Sequence, residues 1–300
     1  MQALVLCLDI SDSTAYGEPA KLNQAIGSIH KVLQELSPDV PTALVTFDVA
    51  AEILLDLKPL QQEEIRDALT RTVSRGVTCI AAGLAEAINM IEKTGREGEV
   101  LLLTDGRANL SQNRMGGFEG SLDLEAELLA ITREASGKGI AINVVAVGED
   151  AFTHTLSAIS RDGKGGYWLA DDFQGFTAGS PPSLKVLRSV GLRVHGAPAE
   201  LPSAQPTWTK ESQFMHVAVV SQSLYEAYQT HHRAFLVNPG NGREARTALI
   251  SIESQVLAGY RERRPRTAES VRAEEALLLD RSYRGFLALD EDAIVRLTVY

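Results

Sequence analysis

The stretch LCLDISDSTAYG, residues 6–17, joins an apolar run to a cluster of polar side chains. The run Ala3–Leu8 is unbroken, which is typical of a strand buried on both faces of a parallel sheet. Directly after it, within five positions, come four oxygen-bearing side chains: Asp9, Ser11, Asp12 and Ser13. Helix capping uses one or two such side chains, so it explains part of this cluster. The alternative is that the oxygens converge on a ligand.

Outward from this stretch, strand-like and helix-like patterns alternate. Apolar runs predict strands at 3–8, 43–47, 52–57, 100–103, 140–147 and 167–169. Apolar residues three or four apart predict helices at 22–36, 61–73, 79–93, 122–137 and 151–160. The second and third strands are too close in sequence for a crossover helix, so the third is predicted to be an antiparallel edge strand. The pattern predicts an α/β domain with a Rossmann-like, open, mostly parallel sheet flanked by helices.

This alternation stops near residue 190. Leu184, Leu187 and Val190 predict a last helix that closes a first domain, residues 1–190. Residues 191–212 contain several prolines and few periodic apolar positions, which predicts a linker or irregular crossing. Strand-like runs then predominate, with helix-like material limited to 223–231 and 268–284. We therefore predict a smaller β-rich C-terminal domain over 213–300, whose stretch 271–299 resembles half of a double-psi barrel.

Charge separates the two predicted domains. The chain of 300 residues has a formal net charge of −10. Residues 1–190 hold 26 Asp and Glu against 16 Lys and Arg, whereas residues 191–300 hold 13 of each. Phosphates need a basic face, so nucleic-acid binding by the first domain is not expected. The seven arginines of residues 243–272 indicate either a solvated face or a surface for an acidic partner.

The same sequence predicts a cytoplasmic protein without a membrane segment. No apolar run approaches the roughly 20 residues that cross a bilayer. The N-terminus lacks the basic start of a signal peptide and reaches Asp9 too early. The two cysteines, Cys7 and Cys79, give neither a disulfide framework nor metal-ligand spacing, which fits a reducing compartment.

Polar side chains at the predicted strand ends indicate a metal site. Ligands of open α/β sheets lie beyond the carboxyl ends of the strands, where Asp9 and Asp105 end the first and fourth strands. If these strands are neighbours, five side chains share one edge: Asp9, Ser11, Ser13, Thr78 and Asp105. Such all-oxygen donors favour Mg²⁺, with Mn²⁺ or Ca²⁺ as alternatives. Hydroxyls are weak ligands, so a position stays open for a carboxylate of a protein partner.

In this order, the motifs D-x-S-x-S at 9–13, threonine at 78 and T-D-G at 104–106 resemble a von Willebrand factor A domain with its metal-ion-dependent adhesion site. The resemblance covers roughly residues 1–190. It implies that Ser11, Ser13 and Thr78 coordinate the metal, and that the two aspartates act directly or through water. Asp12 is expected to face solvent. Val77 stands where the family often has glycine, which leaves open whether Thr78 reaches the metal.

The stretch LLTDGRAN, residues 102–109, resembles the A domains of magnesium and cobalt chelatase subunits, which work with AAA+ ATPases. The resemblance to an A domain implies a metal-dependent adaptor that captures an acidic residue of a protein partner, and the LLTDGRAN stretch implies an AAA+ ATPase as one partner class. The alternatives are a chelatase-type subunit that assists metal insertion into a tetrapyrrole, and a structural A domain whose metal site is not used. No nucleophile elbow and no phosphate-binding P-loop is present, so no catalytic residue, organic cofactor or intrinsic enzyme activity is expected.

Overall fold

The chain folds into two compact units in the computed structural model, Met1–Pro182 and Ser183–Tyr300. The structure describes residues 2–113, 122–148, 151–176, 188–196, 217–228, 234–241, 243–246, 248–252, 276–279, 287, 289 and 294–299. Among the helices of these residues, none combines the length and the apolar character of a membrane-spanning segment.

A six-stranded sheet forms the centre of the first unit. Its strands are β1 Ala3–Asp9, β2 Pro41–Phe47, β3 Ala51–Pro59, β4 Gly98–Thr104, β5 Ile140–Ala146 and β6 Lys164–Leu169. They lie in the order β3-β2-β1-β4-β5-β6, with all neighbours parallel except the β2–β3 pair. The predicted α/β class and the antiparallel edge strand are confirmed. Crucially for the site, β1 and β4 are neighbours.

In the described part of this unit, five helices connect and cover these strands. They are α1 Lys21–Glu35, α2 Gln62–Thr70, α3 Ile80–Glu92, α4 Leu122–Gly137 and α5 Thr153–Asp162. A short 3-10 helix, Asp12–Ala15, precedes α1. The prediction extended α2 to Val73, but the helix ends at Thr70 and the Val73 side chain is exposed. The apolar spacing of α1 and α2 is explained by one buried cluster, in which Ile29 and Ile65 pack beneath the sheet.

Burial differs between the centre and the edge of this sheet. Every residue of β1 is buried, because β1 has a neighbour on each side and packs against helices. The edge strand β3 has no fully buried residue and carries Glu52, Asp56 and Lys58. Charged side chains on an edge strand discourage pairing with another chain. The fully apolar sequence of β1 and the mixed sequence of β3 thus match their places in the sheet.

The second unit contains seven described strands and one short helix. They are β7 Arg188–Gly196, β8 Val217–Ser221, α6 Gln222–Tyr228, β9 Ala234–Val237, β10 Glu244–Arg246, β11 Ala248–Ile252, β12 Ala276–Leu279 and β13 Ile294–Val299. The strands form one mixed sheet in the order β10-β9-β13-β7-β12-β8-β11. The predicted β-rich character is confirmed. Of the strands that apolar runs predict at 215–220, 234–237, 248–252 and 294–299, the last three have the predicted bounds and the first lies at Val217–Ser221.

Three predictions for this region need correction. Val190 lies in strand β7 rather than in a closing helix, because β7 pairs with both β12 and β13. The predicted linker 191–212 therefore begins inside a strand, and its residues 197–212 lie outside the described residues. Strand β12 interrupts the helix predicted over 268–284. The resemblance of 271–299 to half of a double-psi barrel stays a prediction, because most of that stretch lies outside the described residues.

Candidate metal site at the carboxyl edge of the sheet

The ends of β1 and β4 bring two buried aspartates together. The two strands are parallel with Leu8 opposite Leu103, so Asp9 and Asp105 leave the sheet side by side. The Thr104 hydroxyl donates a hydrogen bond of 2.5 Å to Asp9 Oδ2 and thereby ties one strand end to the other. Both carboxylates are essentially inaccessible to solvent, with exposures of 1% and 0%. The predicted adjacency of these two residues is confirmed.

The loop after β1 places its two serines beside Asp9. The Ser11 backbone N–H donates to Asp9 Oδ1 at 2.9 Å, which turns the chain back over the carboxylate. The 3-10 helix that follows is held by Thr14, whose backbone N–H and hydroxyl both donate to the Ser11 carbonyl. As a result the Ser11 and Ser13 hydroxyl oxygens lie 3.2 Å apart. Both serines are buried and Asp12 between them is exposed, as expected.

Thr78 is held at this edge by the loop that follows β4. Asn109 Oδ1 accepts a hydrogen bond of 2.8 Å from the Thr78 N–H. The Thr78 carbonyl in turn accepts from the backbone N–H groups of Asn109 and Leu110. The Thr78 loop also contacts the serine loop, because Asp12 N–H donates to the Gly76 carbonyl at 2.9 Å. Val77 is 42% exposed, so its side chain points away from the packed interior and leaves Thr78 buried.

Gly106 explains why the T-D-G motif ends in glycine. Its φ is +78°, and an added Cβ would lie 2.9 Å from the Leu156 side chain. The backbone therefore turns tightly enough for the Arg107 N–H to donate to Asp105 Oδ1 at 3.1 Å. The Asp105 carbonyl accepts from the Phe152 N–H, which fixes the same turn to the start of α5. Asp105 is thus held from its backbone and its side chain.

A buried lysine is a site residue that the sequence analysis missed. Lys21 Nζ donates to Asp105 Oδ2 at 2.9 Å, and the lysine side chain is 1% exposed. Its methylene chain passes over Gly148, where an added Cβ would lie 2.6 Å from Lys21 Cε. A signal was present in the sequence: Ala25, Ser28 and Val32 follow Lys21 at helical spacing, and all are buried. A lysine on that face is directed inward.

The two carboxylates differ in their electrostatic surroundings. Burial, followed by the neighbouring Asp105 charge, raises the pKa of Asp9 to about 7. Hydrogen bonds from Thr104 and Ser11 lower that pKa, but they do not offset the loss of hydration. Two adjacent buried carboxylates are costly without a counter-charge, and Lys21 supplies one charge for the pair. Further positive charge at this edge is therefore electrostatically favourable.

The donor set fits a small hard cation. Mg²⁺–oxygen bonds of about 2.0–2.1 Å separate adjacent oxygens of an octahedron by about 2.9 Å. The 3.2 Å between the hydroxyl oxygens of Ser11 and Ser13 is close to that edge. The described part of the chain holds no group of three His, Cys, Asp or Glu side chains placed to bind a metal ion. A cation at this edge would therefore depend on hydroxyls and water as well as on the two aspartates.

Comparison with known proteins relates the segment that carries these residues to a known type of domain. Residues 4–107 match the sequence model of the von Willebrand factor type A domain, and this segment contains all five predicted ligands. The chain is similar to calcium-activated chloride channel regulator 1, with 37% identity over 109 residues for Equus caballus and 38% over 110 residues for Sus scrofa. Each alignment covers 35% of this chain and 12% of the regulator, so the chain spans a small part of these relatives.

Several solved structures are similar to part of this chain at low sequence identity. An aerotolerance-related membrane protein from Bacteroides fragilis is 18% identical, with a TM-score of 0.46 over 58% of this chain and 94% of its own. A von Willebrand factor type A protein from Catenulispora acidiphila gives 18% identity and a TM-score of 0.46, over 58% of this chain and 41% of its own. Manganese-loaded Plasmodium vivax TRAP protein gives 17% and 0.43, over 53% and 62%.

Proposed function

We propose, from the match of residues 4–107 to the von Willebrand factor type A domain, that this protein is a non-enzymatic, Mg²⁺-dependent protein-binding adaptor. The observation that carries the proposal is the pair of neighbouring hydroxyls, Ser11 and Ser13, held 3.2 Å apart beside two buried carboxylates. The serines and Thr78 would hold the cation, with Asp9 and Asp105 acting directly or through water. When bound, the cation would supply a Lewis-acidic position that a partner's carboxylate can fill.

This chain's own residues prepare that position. Asp9 Oδ1 and Oδ2 each accept a hydrogen bond from within the site, so the carboxylate is oriented before any ligand arrives. The Thr78 backbone is oriented by Asn109 in the same way. Preorganised donors lose little conformational entropy on binding, which favours capture of a single exposed acid from a partner. The resemblance of residues 102–109 to chelatase subunits makes an AAA+ ATPase the first partner class to test.

One observation favours a second candidate, a structural A domain that uses no metal. Lys21 already places a cation on Asp105, so the fold contains part of the charge compensation that a metal would otherwise supply. In that case the carboxylates and hydroxyls would serve as an internal hydrogen-bond network. The two candidates differ in their response to Mg²⁺, which makes them separable by one titration.

The test is the thermal stability of the chain as a function of Mg²⁺ concentration. A single bound ion at a hundredfold excess over its dissociation constant adds about 2.7 kcal/mol to the free energy of unfolding. We expect this stabilisation in the unmodified chain and its loss in Ser11→Ala. Asp12→Ala is the matched control, because it removes an exposed carboxylate from the same loop and should leave the response intact. A flat response of the unmodified chain at millimolar Mg²⁺ contradicts the adaptor and supports the structural candidate.

Partner capture is tested with the same three chains. Candidate AAA+ ATPases are offered to the immobilised protein in Mg²⁺ and in chelator. Binding that requires Mg²⁺, survives Asp12→Ala and is lost in Ser11→Ala supports capture through the site. Equal binding by all three chains in chelator would show that any interaction uses another surface.

A further inference from the structure

We infer that Lys21 is a built-in counter-charge of the metal site, which weakens binding of the free cation and strengthens binding of the partner's carboxylate. The inference deepens the proposed function and rests on it. Its basis is the contact of 2.9 Å between Lys21 Nζ and Asp105 Oδ2, both of them buried. A buried ammonium at this place changes the total charge of the site by one unit.

The geometry keeps the ammonium within the site. Lys21 is the first residue of α1, and its backbone N–H donates to the Tyr16 carbonyl at 2.9 Å. Its side chain is confined over Gly148, whose φ of +87° favours glycine and whose lack of a Cβ leaves room for the methylene groups. A lysine held along its whole length keeps its charge at Asp105, whereas an exposed lysine would be screened by solvent.

The charges give the direction of the effect. Asp9 and Asp105 contribute two negative charges when ionised, and Lys21 contributes one positive charge. Addition of Mg²⁺ brings this group of charges to one positive, and a partner's carboxylate then brings it to neutral. Without Lys21, the metal alone would neutralise the two aspartates and the partner's acid would leave one excess negative charge. Uncompensated charge in a buried site is costly. Lys21 therefore disfavours the site that holds Mg²⁺ alone and favours the site that holds both Mg²⁺ and the partner's carboxylate.

A positioning role for Lys21 makes the opposite prediction. If the ammonium served only to hold Asp105 in place, its loss would misplace a ligand and weaken the metal site. Asp105 is, however, also fixed by hydrogen bonds with the backbone N–H groups of Arg107 and Phe152. These contacts do not involve Lys21, so when the ammonium is removed the carboxylate keeps its hydrogen bond from the Arg107 N–H and the Asp105 backbone carbonyl keeps its hydrogen bond from the Phe152 N–H.

The experiment measures Mg²⁺ affinity by calorimetry in the full chain and in Lys21 variants. We expect Lys21→Met to bind Mg²⁺ at least about tenfold more tightly, because a like charge near the ion is removed. Lys21→Gln retains a hydrogen-bond donor without the charge and should also bind more tightly. Lys21→Arg retains the charge and should stay near the affinity of the unmodified chain.

Lys31→Met is the matched control. Lys31 lies on the same helix, about 15 Å along its axis from Lys21. Its Nζ donates to the Phe173 carbonyl, so the change removes an equal charge from a partly buried position away from the site. Its Mg²⁺ affinity should equal that of the unmodified chain. Acetate serves as a simple carboxylate probe, and we expect it to raise Mg²⁺ affinity more in the unmodified chain than in Lys21→Met.

The outcomes separate this inference from the proposed function. Binding by the unmodified chain, with equal or weaker binding by Lys21→Met and Lys21→Gln, overturns the inference alone. Binding only by the neutral variants supports it while contradicting the proposed function. Absence of binding in every chain overturns both. Failure of both neutral variants to fold in millimolar Mg²⁺ also overturns the inference, because the charge would then be required by the fold.

Discussion

The two aspartates of the candidate site lie on neighbouring strand ends, yet they are stabilised differently. Asp9 accepts hydrogen bonds from neutral groups, the Ser11 N–H and the Thr104 hydroxyl. Asp105 accepts from a lysine ammonium and from a backbone N–H. Both are buried, so the difference is in charge compensation and not in exposure. The comparison shows how a fold can hold two adjacent carboxylates by pairing one with a cation and leaving the other available to a metal or a proton.

The largest expected effect comes from Asp105, the aspartate that is paired with Lys21. Asp105→Asn removes the carboxylate that Lys21 contacts, and breaking a buried ion pair typically costs about 3–5 kcal/mol. We expect a loss of that order in the free energy of unfolding, measured with urea in chelator. Asp9→Asn removes an equal charge with no ammonium contact and should cost far less.

A double variant makes this asymmetry specific to Lys21. Asp105→Asn combined with Lys21→Met removes both members of the pair and should recover most of the stability that Asp105→Asn loses. Equal destabilisation by Asp9→Asn and Asp105→Asn would contradict the comparison. Failure of the double variant to recover stability would show that the cost arises from packing around Asp105.

Asp9, the aspartate without a lysine contact, predicts an unusual pH dependence of the free energy of unfolding. Because the pKa of Asp9 is raised from 3.8 to about 7, the folded state binds a proton more tightly than the unfolded state does. Above pH 4 the unfolded chain has released this proton, whereas the folded chain releases it near pH 7. In chelator the free energy of unfolding should therefore decrease as pH rises through this window, by up to about 1.4 kcal/mol per pH unit from this group.

Asp9→Asn isolates that contribution. The free energy of unfolding is measured for the unmodified chain and for Asp9→Asn from pH 4 to pH 8. As pH rises, the value for the unmodified chain should fall relative to the value for the variant, and the difference should become constant above pH 7. The measurement is made in chelator, since a bound cation would favour the ionised carboxylate. A difference that does not vary with pH would contradict the raised pKa.

Sequence patterns predicted the two strands that carry the aspartates and the sheet edge where the site lies, because both depend on local signals. The apolar run Ala3–Leu8 and the apolar run before Thr104 each indicated a buried strand, and parallel pairing then brought Asp9 and Asp105 to one edge. The serines were predicted because too many oxygens followed one strand. Their roles as ligands, and that of Thr78, stay predictions that the metal titration tests.

The missed features depend on contacts between distant parts of the chain. Helical spacing places Lys21 on the buried face of α1, but only the approach of Gly148 and Asp105 makes it part of the site. Strand β7 was missed although Val190, Leu192 and Val194 alternate along it, because its glycines and the prolines that follow indicated an irregular segment and its pairing with β12 and β13 is nonlocal. Tertiary pairing overrides weak local preference in such segments.

The smallest expected effect concerns Thr78, which is held by the loop that follows Asp105. Asn109 supplies the acceptor for the Thr78 N–H, so Asn109→Ala should cost about 1 kcal/mol of stability and lower Mg²⁺ affinity severalfold. Asn109→Asp is the control, because it keeps an acceptor at that position.

Val77→Gly should leave Mg²⁺ affinity unchanged, since the Val77 side chain is 42% exposed and the neighbouring Thr78 is fixed by Asn109. Tighter Mg²⁺ binding in Val77→Gly would show instead that the valine holds Thr78 away from the cation. The loop that follows Asp105 would then not determine the position of the Thr78 hydroxyl.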